Sequence, residues 1–451
     1  MFNEPAISRD EQAAVRVNQP PLSREQLLVN ELRQLVTNVL AIEKETLPDL
    51  TEEPAPNGMP PVLLQNHLVA TFEGRLLLDS EAAYDQLDAL LTPLNYLAVF
   101  RPADPKLDET AGPHVIQIIS GRINPAPRPW WPNLLLLIAT LFSVLLVGTD
   151  LAIQEATRTN PLFPLLLNDN LFFELWRGLP YALSILLILG AHELGHYFAA
   201  RRHKLAVTLP YFIPLPLISF FGTMGAFIQL RQPMRNKKML LDVGAAGPLT
   251  GLVFAIPILL IGLSQAPLQP IATGGLYEGD SLLYAAAKTI TYGRFVPDGR
   301  VDVCINCSQL AWAGWTGLLV TALNLIPIGQ LDGGHVLYAL IGNRARKLYF
   351  PLLAIMIALV FVTDVWLFWV ILLLIFGRLY ATPLDTITPL DNRRRGIAIL
   401  ALVVFALIFV PAPLSPAISS VPPANLTPGD SASLLPLLAP AAIVLFGRLR
   451  R

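Results

Sequence analysis

Five consecutive residues near the middle of the chain have the types and the spacing of a metal site. They read His192-Glu193-Leu194-Gly195-His196 and contain two of only six histidines. Residues four apart on a helix project from one face, so His192 and His196 could bind one zinc ion while Glu193 reaches its water. The chemistry that this pattern predicts is metal-assisted hydrolysis with a carboxylate as general base.

The residues around this motif place it inside an apolar helix. Residues 184–191 carry no charge, and Arg201 and Arg202 follow the motif after one to two helical turns. We therefore expect the motif to lie within a bilayer but close to its cytoplasmic face. The alternative, a chance match at a helix interface, is disfavoured because polar clusters at membrane depth are costly without a function.

A catalytic zinc site needs a third protein ligand and leaves one position for water. Asp332 is the candidate, because Pro327 and the pair Gly333-Gly334 are expected to break the helix and turn this carboxylate inward. The alternative is a helix-end acid in an interfacial turn. Asn324 either donates to a substrate carbonyl or developing oxyanion, or makes an interhelical hydrogen bond, and the sequence leaves both open.

The composition indicates which elements hold these residues. The chain has 451 residues, of which 53% are hydrophobic and 14% charged, and its mean hydropathy is +0.53. An average soluble protein carries about 25% charged residues. The composition therefore excludes a disordered, fibrous or nucleic-acid-wrapping protein and predicts a multi-pass protein whose partner is the lipid bilayer. The oligomeric state stays open.

The N-terminal third differs from the rest of the chain in charge and pattern. Residues 1–128 carry 18 acidic and 10 basic residues, whereas residues 129–451 carry 15 and 22. A helix is predicted from Ser23, and a module follows whose strands and helix, in the order β-α-β-β, are expected at 67–78, 80–91, 95–101 and 114–121. We predict three segments, namely an N-terminal helix with a Pro-rich linker at 1–65, a small cytosolic α+β domain at 66–128, and a transmembrane domain at 129–451 with its core at about 179–340.

The second part of the chain predicts an α-helical polytopic membrane protein. About eight apolar spans are expected, at 131–148, 179–200, 239–263, 310–327, 348–362, 365–379, 396–410 and 434–446, with seven or six as alternatives. Loops assigned inside hold 17 basic residues and loops assigned outside hold five, which places both termini in the cytoplasm. The membrane is expected to be the plasma or inner membrane, or a thylakoid membrane in a phototroph.

Residues 208–230 fit no simple span. Prolines at 210, 214 and 216 exclude a regular helix, and the part from Gly222 to Leu230 is strand-like. Non-helical backbone at membrane depth persists only beside protein or a wet cavity. The segment is therefore predicted to be a re-entrant β-hairpin that borders the site.

Three further features are expected to lie outside the catalytic chemistry. Gly247 and Gly251 form a GxxxG pair that favours close helix packing over a substrate gate. Asp242 is expected to be an interfacial helix-start acid rather than a ligand. Cys304 and Cys307 are too few for a structural zinc site, and a disulfide and a thiol pair stay open.

Together the two motifs resemble a known family. An HELGH motif in an apolar span, followed by Asn324-x-x-Pro327-x-x-x-Leu331-Asp332-Gly333-Gly334, is similar to the site-2 protease family of intramembrane zinc metalloproteases. The resemblance covers roughly residues 179–338. It implies that His192, His196 and Asp332 bind one zinc ion and that Glu193 is the catalytic base.

Two departures from the commonest pattern narrow the subgroup. Gly329 stands where many bacterial members have proline, and residues 265–307 are too short for the PDZ domain that many members carry. These features resemble the plastid and cyanobacterial EGY-like (ethylene-dependent gravitropism-deficient and yellow-green) branch. The resemblance implies an endopeptidase that cleaves transmembrane or membrane-associated proteins near the cytoplasmic face. The alternative is a catalytically silent zinc-binding membrane chaperone, scaffold or transporter on the same fold.

Overall fold

The computed structural model describes residues 24–47, 67–104, 112–167, 170–271 and 276–416. These residues are mostly helical and form two compact units. The first unit ends at Arg122 and also includes Leu384–Thr388, and the second unit holds the other described residues. The predicted Ser23 cap, the Pro-rich linker and the expected span at 434–446 lie outside the described residues.

The first unit is a four-stranded antiparallel sheet with two helices. Its elements are α1 (Arg24–Val36), β1 (Leu40–Thr46), β2 (Leu68–Leu76), α2 (Ser80–Leu91), β3 (Tyr96–Pro102) and β4 (His114–Ser120). The strand order is β1-β2-β4-β3. Phe72 on β2, Phe100 on β3 and Ile116 on β4 share one face and are fully buried, as alternation in half-buried strands requires. The predicted β-α-β-β elements are all found.

One strand of this sheet was not predicted. Leu40–Thr46 lies within the segment that the sequence assigned to a helix and linker, yet it pairs with β2 at the edge of the sheet. Glu43, Lys44 and Glu45 hide the apolar alternation on which strand prediction depends. Charged residues are common on edge strands because they block pairing with other chains.

A short segment from far along the chain completes the other edge of the sheet. Phe100 on β3 donates its N–H to the Leu384 carbonyl at 2.9 Å, and Thr386 donates its N–H to the Phe100 carbonyl at 3.2 Å. Asp385 is fully buried and accepts from the N–H groups of Ile387 and Thr388. Because this pairing joins residues distant in sequence, no local pattern indicates it.

The second unit is built mainly from helices. They are α3 (Trp131–Thr159), α4 (Leu179–Arg202), α5 (Lys237–Gln265), α6 (Leu282–Tyr292), α7 (Gln309–Asn324), α8 (Asp332–Ile341), α9 (Arg344–Lys347), α10 (Tyr349–Val360), α11 (Val365–Phe376) and α12 (Asn392–Ile408). Helix α5 lies at the centre, where it packs against α4, α7 and α8. Its partners bury Leu240, Leu259 and Trp315 in one large apolar core.

Length and composition make three described stretches capable of crossing a membrane. They are Trp131–Thr159, Phe172–Arg202 and Lys237–Gln265, and two shorter apolar helices, α10 and α11, follow. Each expected span within the described residues corresponds to a helix, although α7 ends at Asn324, before Pro327. Helices α10 and α11 are separate and pack on each other, and the chain breaks between them at Thr363-Asp364.

Three two-stranded sheets complete the second unit. Their strands are β5 (Tyr211–Pro214), β6 (Thr223–Phe227), β7 (Leu268–Pro270), β8 (Leu276–Glu278), β9 (Val301–Val303) and β10 (Leu414–Pro416). The pairs β5–β6, β7–β9 and β8–β10 are all antiparallel. The β5–β6 pair forms a hairpin within residues 208–230, as expected. Cys304 and Cys307 form a disulfide, which decides between the two alternatives.

Candidate metal centre

The HELGH motif lies on α4, and the helix buries its polar side chains. Pro180 is in the first turn, where proline is tolerated, and Arg201 and Arg202 are in the last turn, where cations are favourable. His192, Glu193 and His196 are all buried. The predicted helical spacing is therefore realised, and both histidines point into the protein.

Asp332 is the first residue of α8 and lies against the same two histidines. Helix α7 ends at Asn324, and the chain then turns through Pro327 before α8 begins. Contrary to expectation, Gly333 and Gly334 do not break a helix but form the first turn of one. A Cβ atom at Gly333 would lie 1.9 Å from the Leu325 carbonyl oxygen, so the glycines are needed for close approach of the turn.

Three ligand atoms converge at nearly equal distances. Asp332 Oδ2 lies 3.3 Å from His192 Nε2 and 3.2 Å from His196 Nε2, and the two histidine Nε2 atoms are 3.2 Å apart. Ligands at about 2.0 Å from a tetrahedral zinc ion are about 3.3 Å from one another. The three atoms therefore match one face of such a tetrahedron, with the fourth position open.

The hydrogen bond of His196 directs a lone pair of the neutral ring toward the other ligand atoms. His196 Nδ1 lies 2.7 Å from the Val243 carbonyl oxygen. Since a carbonyl only accepts, Nδ1 is the donor, and Nε2 of the neutral ring carries a lone pair. That lone pair faces Asp332 Oδ2, another acceptor. Within the described residues Asp332 has no lysine or arginine partner, and the donor set fits a divalent metal ion.

Small residues on α5 provide the space for the two histidines. A Cβ atom at Gly247 would lie 2.1 Å from His196 Nε2, and one at Gly251 would lie 3.3 Å from His192 Cβ. The predicted packing role of the GxxxG pair is therefore confirmed. The structure adds that the contact is with the histidine rings themselves.

Glu193 and Asn324 line one cavity together with the three ligand atoms. This cavity has a volume of about 220 Å³, and Ala226, Phe227 and Ile228 of the hairpin form another wall. The backbone amide of Ile228 interacts with the Glu193 carboxylate. The hairpin thus borders the site, as expected, and all five predicted site residues are brought together.

A second, more apolar cavity of about 310 Å³ shares lining residues with the first. His192, Glu193 and Asn324 line it as well as the first cavity. Its remaining walls come from the hairpin, α4, α7 and α11, including Trp366 and Trp369. An apolar space therefore leads directly to the polar site.

Two contacts that hold the site could not be predicted from the sequence. The Val243 carbonyl has no residue-specific signal, because every residue has a carbonyl. Gly247 was identified, but its contact with His196 was not. Both contacts become visible only once α4 and α5 are packed against each other.

Part of the chain matches a known peptidase family. Residues 180–363 match the model of peptidase family M50. This part of the chain is similar to peptidase family M50. The match includes every residue of the metal centre, and the resemblance to site-2 proteases of the EGY-like branch is confirmed.

The chain is also similar to proteins named probable zinc metalloproteases. EGY2, chloroplastic, of Arabidopsis thaliana is 32% identical over 253 residues, which cover 55% of this chain and 44% of that protein. EGY2, chloroplastic, of Oryza sativa subsp. indica is 34% identical over 262 residues, covering 55% and 46%. EGY1, chloroplastic, of Arabidopsis thaliana is 27% identical over 306 residues, covering 64% and 55%.

The chain spans about half the length of the curated relatives that it matches. No solved structure is significantly similar to it.

Proposed function

We propose that this protein is an intramembrane zinc endopeptidase that hydrolyses peptide bonds of transmembrane or membrane-associated proteins. The observation that carries the proposal is the triangle formed by His192, His196 and Asp332, with Glu193 beside it in a buried cavity. The names of the relatives, as probable zinc metalloproteases, support the same metal and the same reaction.

Each site residue has a distinct task in this proposal. His192, His196 and Asp332 would hold the zinc ion, which when bound supplies a Lewis acid for a peptide carbonyl and for water. The Glu193 carboxylate takes a proton from the attacking water and then returns it to the leaving amine nitrogen. The side-chain amide of Asn324 is proposed to donate to the developing oxyanion.

The hairpin and the apolar cavity suggest how a substrate is held. A helical segment hides its carbonyls, so it must be locally extended before cleavage. Strand β6 pairs with β5 along one edge, and residues 226–228 face the metal centre. An extended substrate could add to β6 by backbone hydrogen bonds. The apolar second cavity would receive adjoining apolar side chains.

The same proposal includes a topology and a location. We infer about eight membrane spans, a hairpin that re-enters the membrane, and a cytoplasmic side for both termini, because basic residues concentrate in alternate loops. Cleavage would take place near the cytoplasmic face, in a plasma, inner or thylakoid membrane. We assign residues 66–128 to a cytosolic domain for substrate or partner contact.

Substitution of Glu193 by glutamine tests the reaction. We expect Glu193→Gln to retain zinc, because no proposed ligand is lost, and to reduce cleavage of a model single-span membrane protein by about 100-fold or more. The matched control is Glu155→Gln, which changes an exposed glutamate on α3 and should leave cleavage unchanged. Zinc content and cleavage are measured on the full chain in detergent.

The results separate the alternatives. Undiminished cleavage by folded Glu193→Gln protein would show that this carboxylate is not the base. Zinc binding by the wild-type protein without cleavage of any membrane substrate would favour a silent metal-binding chaperone, scaffold or transporter.

A further inference from the structure

Three side chains from three helical elements meet beside the metal centre. Arg394 in the first turn of α12 donates from Nε and Nη2 to the two carboxylate oxygens of Asp242 on α5, at 2.8 and 2.7 Å. His203, directly after the last residue of α4, lies 2.9 Å from Asp242 Oδ2 through Nε2. We refer to Arg394, Asp242 and His203 as the Arg394 latch.

The latch corrects the role predicted for Asp242. Asp242 does not start α5 but is the sixth residue of that helix, and its side chain is half-buried. Asp391 fixes the other side of the guanidinium, since Arg394 Nη1 donates to Asp391 Oδ2 at 2.6 Å. Such a two-point contact between a guanidinium and a carboxylate defines distance and orientation together.

The residue after Asp242 contacts a metal-binding histidine. Val243 offers its carbonyl to His196 Nδ1 at 2.7 Å, and this hydrogen bond selects the ring nitrogen that faces Asp332. The backbone groups of adjacent helical residues move together, so a shift of Asp242 shifts this carbonyl. The side of α5 that carries Gly247 against His196 belongs to the next turn of the same helix.

We propose that Arg394 is a positioning residue for the metal centre. By holding Asp242, it keeps the first turns of α5 in the position, relative to α4, from which the Val243 carbonyl orients His196. This inference deepens the proposed function and rests on His196 being a metal ligand. Helix α12 lies outside the matched family region, and the proposal gives it a part in keeping the site assembled through Asp242.

The neighbouring arginines provide an internal comparison. Arg393 and Arg395 are exposed, whereas Arg394 is half-buried. A basic cluster that only faced lipid headgroups or water would not require one arginine to donate two hydrogen bonds to a half-buried carboxylate. The geometry at position 394 is therefore specific to that residue.

The test compares Arg394→Ala and Arg394→Lys with Arg393→Ala in the full-length protein. Zinc affinity is measured by competition with a chromophoric chelator, and kcat and KM are measured for cleavage of one membrane substrate. We expect Arg394→Ala to weaken zinc affinity and lower kcat by about 10- to 100-fold with little change in KM, as for loss of an outer-shell partner. Arg394→Lys should recover part of the loss, and Arg393→Ala should match wild type.

A double-mutant cycle with Asp242→Asn tests the proposed route. If Arg394 acts through Asp242, adding Arg394→Ala to Asp242→Asn should weaken zinc affinity little further. Additive losses, or a fall in thermal stability with unchanged zinc affinity, would overturn the proposal. Because zinc affinity is read without substrate, a protein that cleaves nothing but loses zinc affinity on Arg394→Ala would refute the proteolytic function and support the latch.

Discussion

Two regions of the second unit bury charged groups, and they do so in opposite ways. In the first region, the metal centre, Asp332 meets two histidines and no lysine or arginine among the described residues. In the second region Lys288, which is fully buried, contacts Asp280 at 2.7 Å and Asp302 at 3.1 Å. We call this second group the Lys288 cluster.

The difference shows which buried charges find their counter-ions within the protein. In the Lys288 cluster the ammonium ion contacts two carboxylates, so the protein itself supplies the counter-ions of the buried lysine. In the metal centre the three ligand atoms can all act as acceptors and face each other, and a bound cation would relieve their mutual repulsion. The first arrangement is expected to stabilise the fold, and the second is expected to bind.

The largest expected effect is the loss of a metal ligand. Asp332→Ala should abolish zinc retention during dialysis. It should reduce cleavage by more than the roughly 10- to 100-fold that is typical when a residue behind a metal ligand is lost. The control Asp364→Ala changes an exposed acid before α11 and should retain zinc and activity. Full zinc content in folded Asp332→Ala protein would break the distinction drawn between the two regions.

The counterpart in the Lys288 cluster should affect stability instead. Lys288→Met leaves Asp280 and Asp302 without their cation, and we expect a loss of about 3–5 kcal/mol in the free energy of unfolding. Denaturant unfolding in detergent measures it, with the exposed Lys347→Met as control. The folded fraction should bind zinc like wild type. A zinc defect at unchanged stability would contradict the assignment.

A smaller effect is expected from the packing around the histidines. Gly247→Ala places a methyl group where His196 Nε2 lies, which should cost about 1–3 kcal/mol in zinc affinity, measured by chelator competition. Gly396→Ala on α12 is the matched control, because no atom lies within 4 Å of the added carbon. Equal affinities for the two variants would show that the α5 glycines do not shape the site.

A gradual effect of comparable size concerns pH. Burial raises the pKa of Glu278, which accepts from Tyr284 Oη at 2.8 Å, to about 7. The contribution of its neutral form to stability is full below the ordinary pKa of 4.5 and is lost as the pH rises through 7. Between pH 5 and 7.5 this amounts to about 2 kcal/mol.

Comparison with Glu278→Gln isolates this contribution from those of other groups. We expect the variant to lose less stability than wild type over the same pH range, as followed by thermal unfolding. Parallel pH profiles for the two proteins would show that Glu278 is not responsible.

Several elements could be predicted because their signals are local. Strands β2, β3 and β4 follow from alternation, and α4 and α5 follow from long apolar stretches. Strand β1 could not, since its charged residues conceal the alternation. The pairing of Leu384–Thr388 with β3 could not either, because it depends on backbone groups of residues nearly 300 positions apart.

The sequence by itself determined the chemistry of the metal centre. The spacing of His192 and His196 on a helix requires them to share a face, and the apolar surroundings require a function for Glu193 between them. Tertiary structure alone decided what surrounds them. Asp332 reaches the histidines, Val243 contacts one of them, and Arg394 pairs with Asp242 only because four helices distant in sequence pack together. Backbone carbonyls and inter-helix ion pairs leave no periodic signal in a chain, so their partners emerge only once the chain is folded.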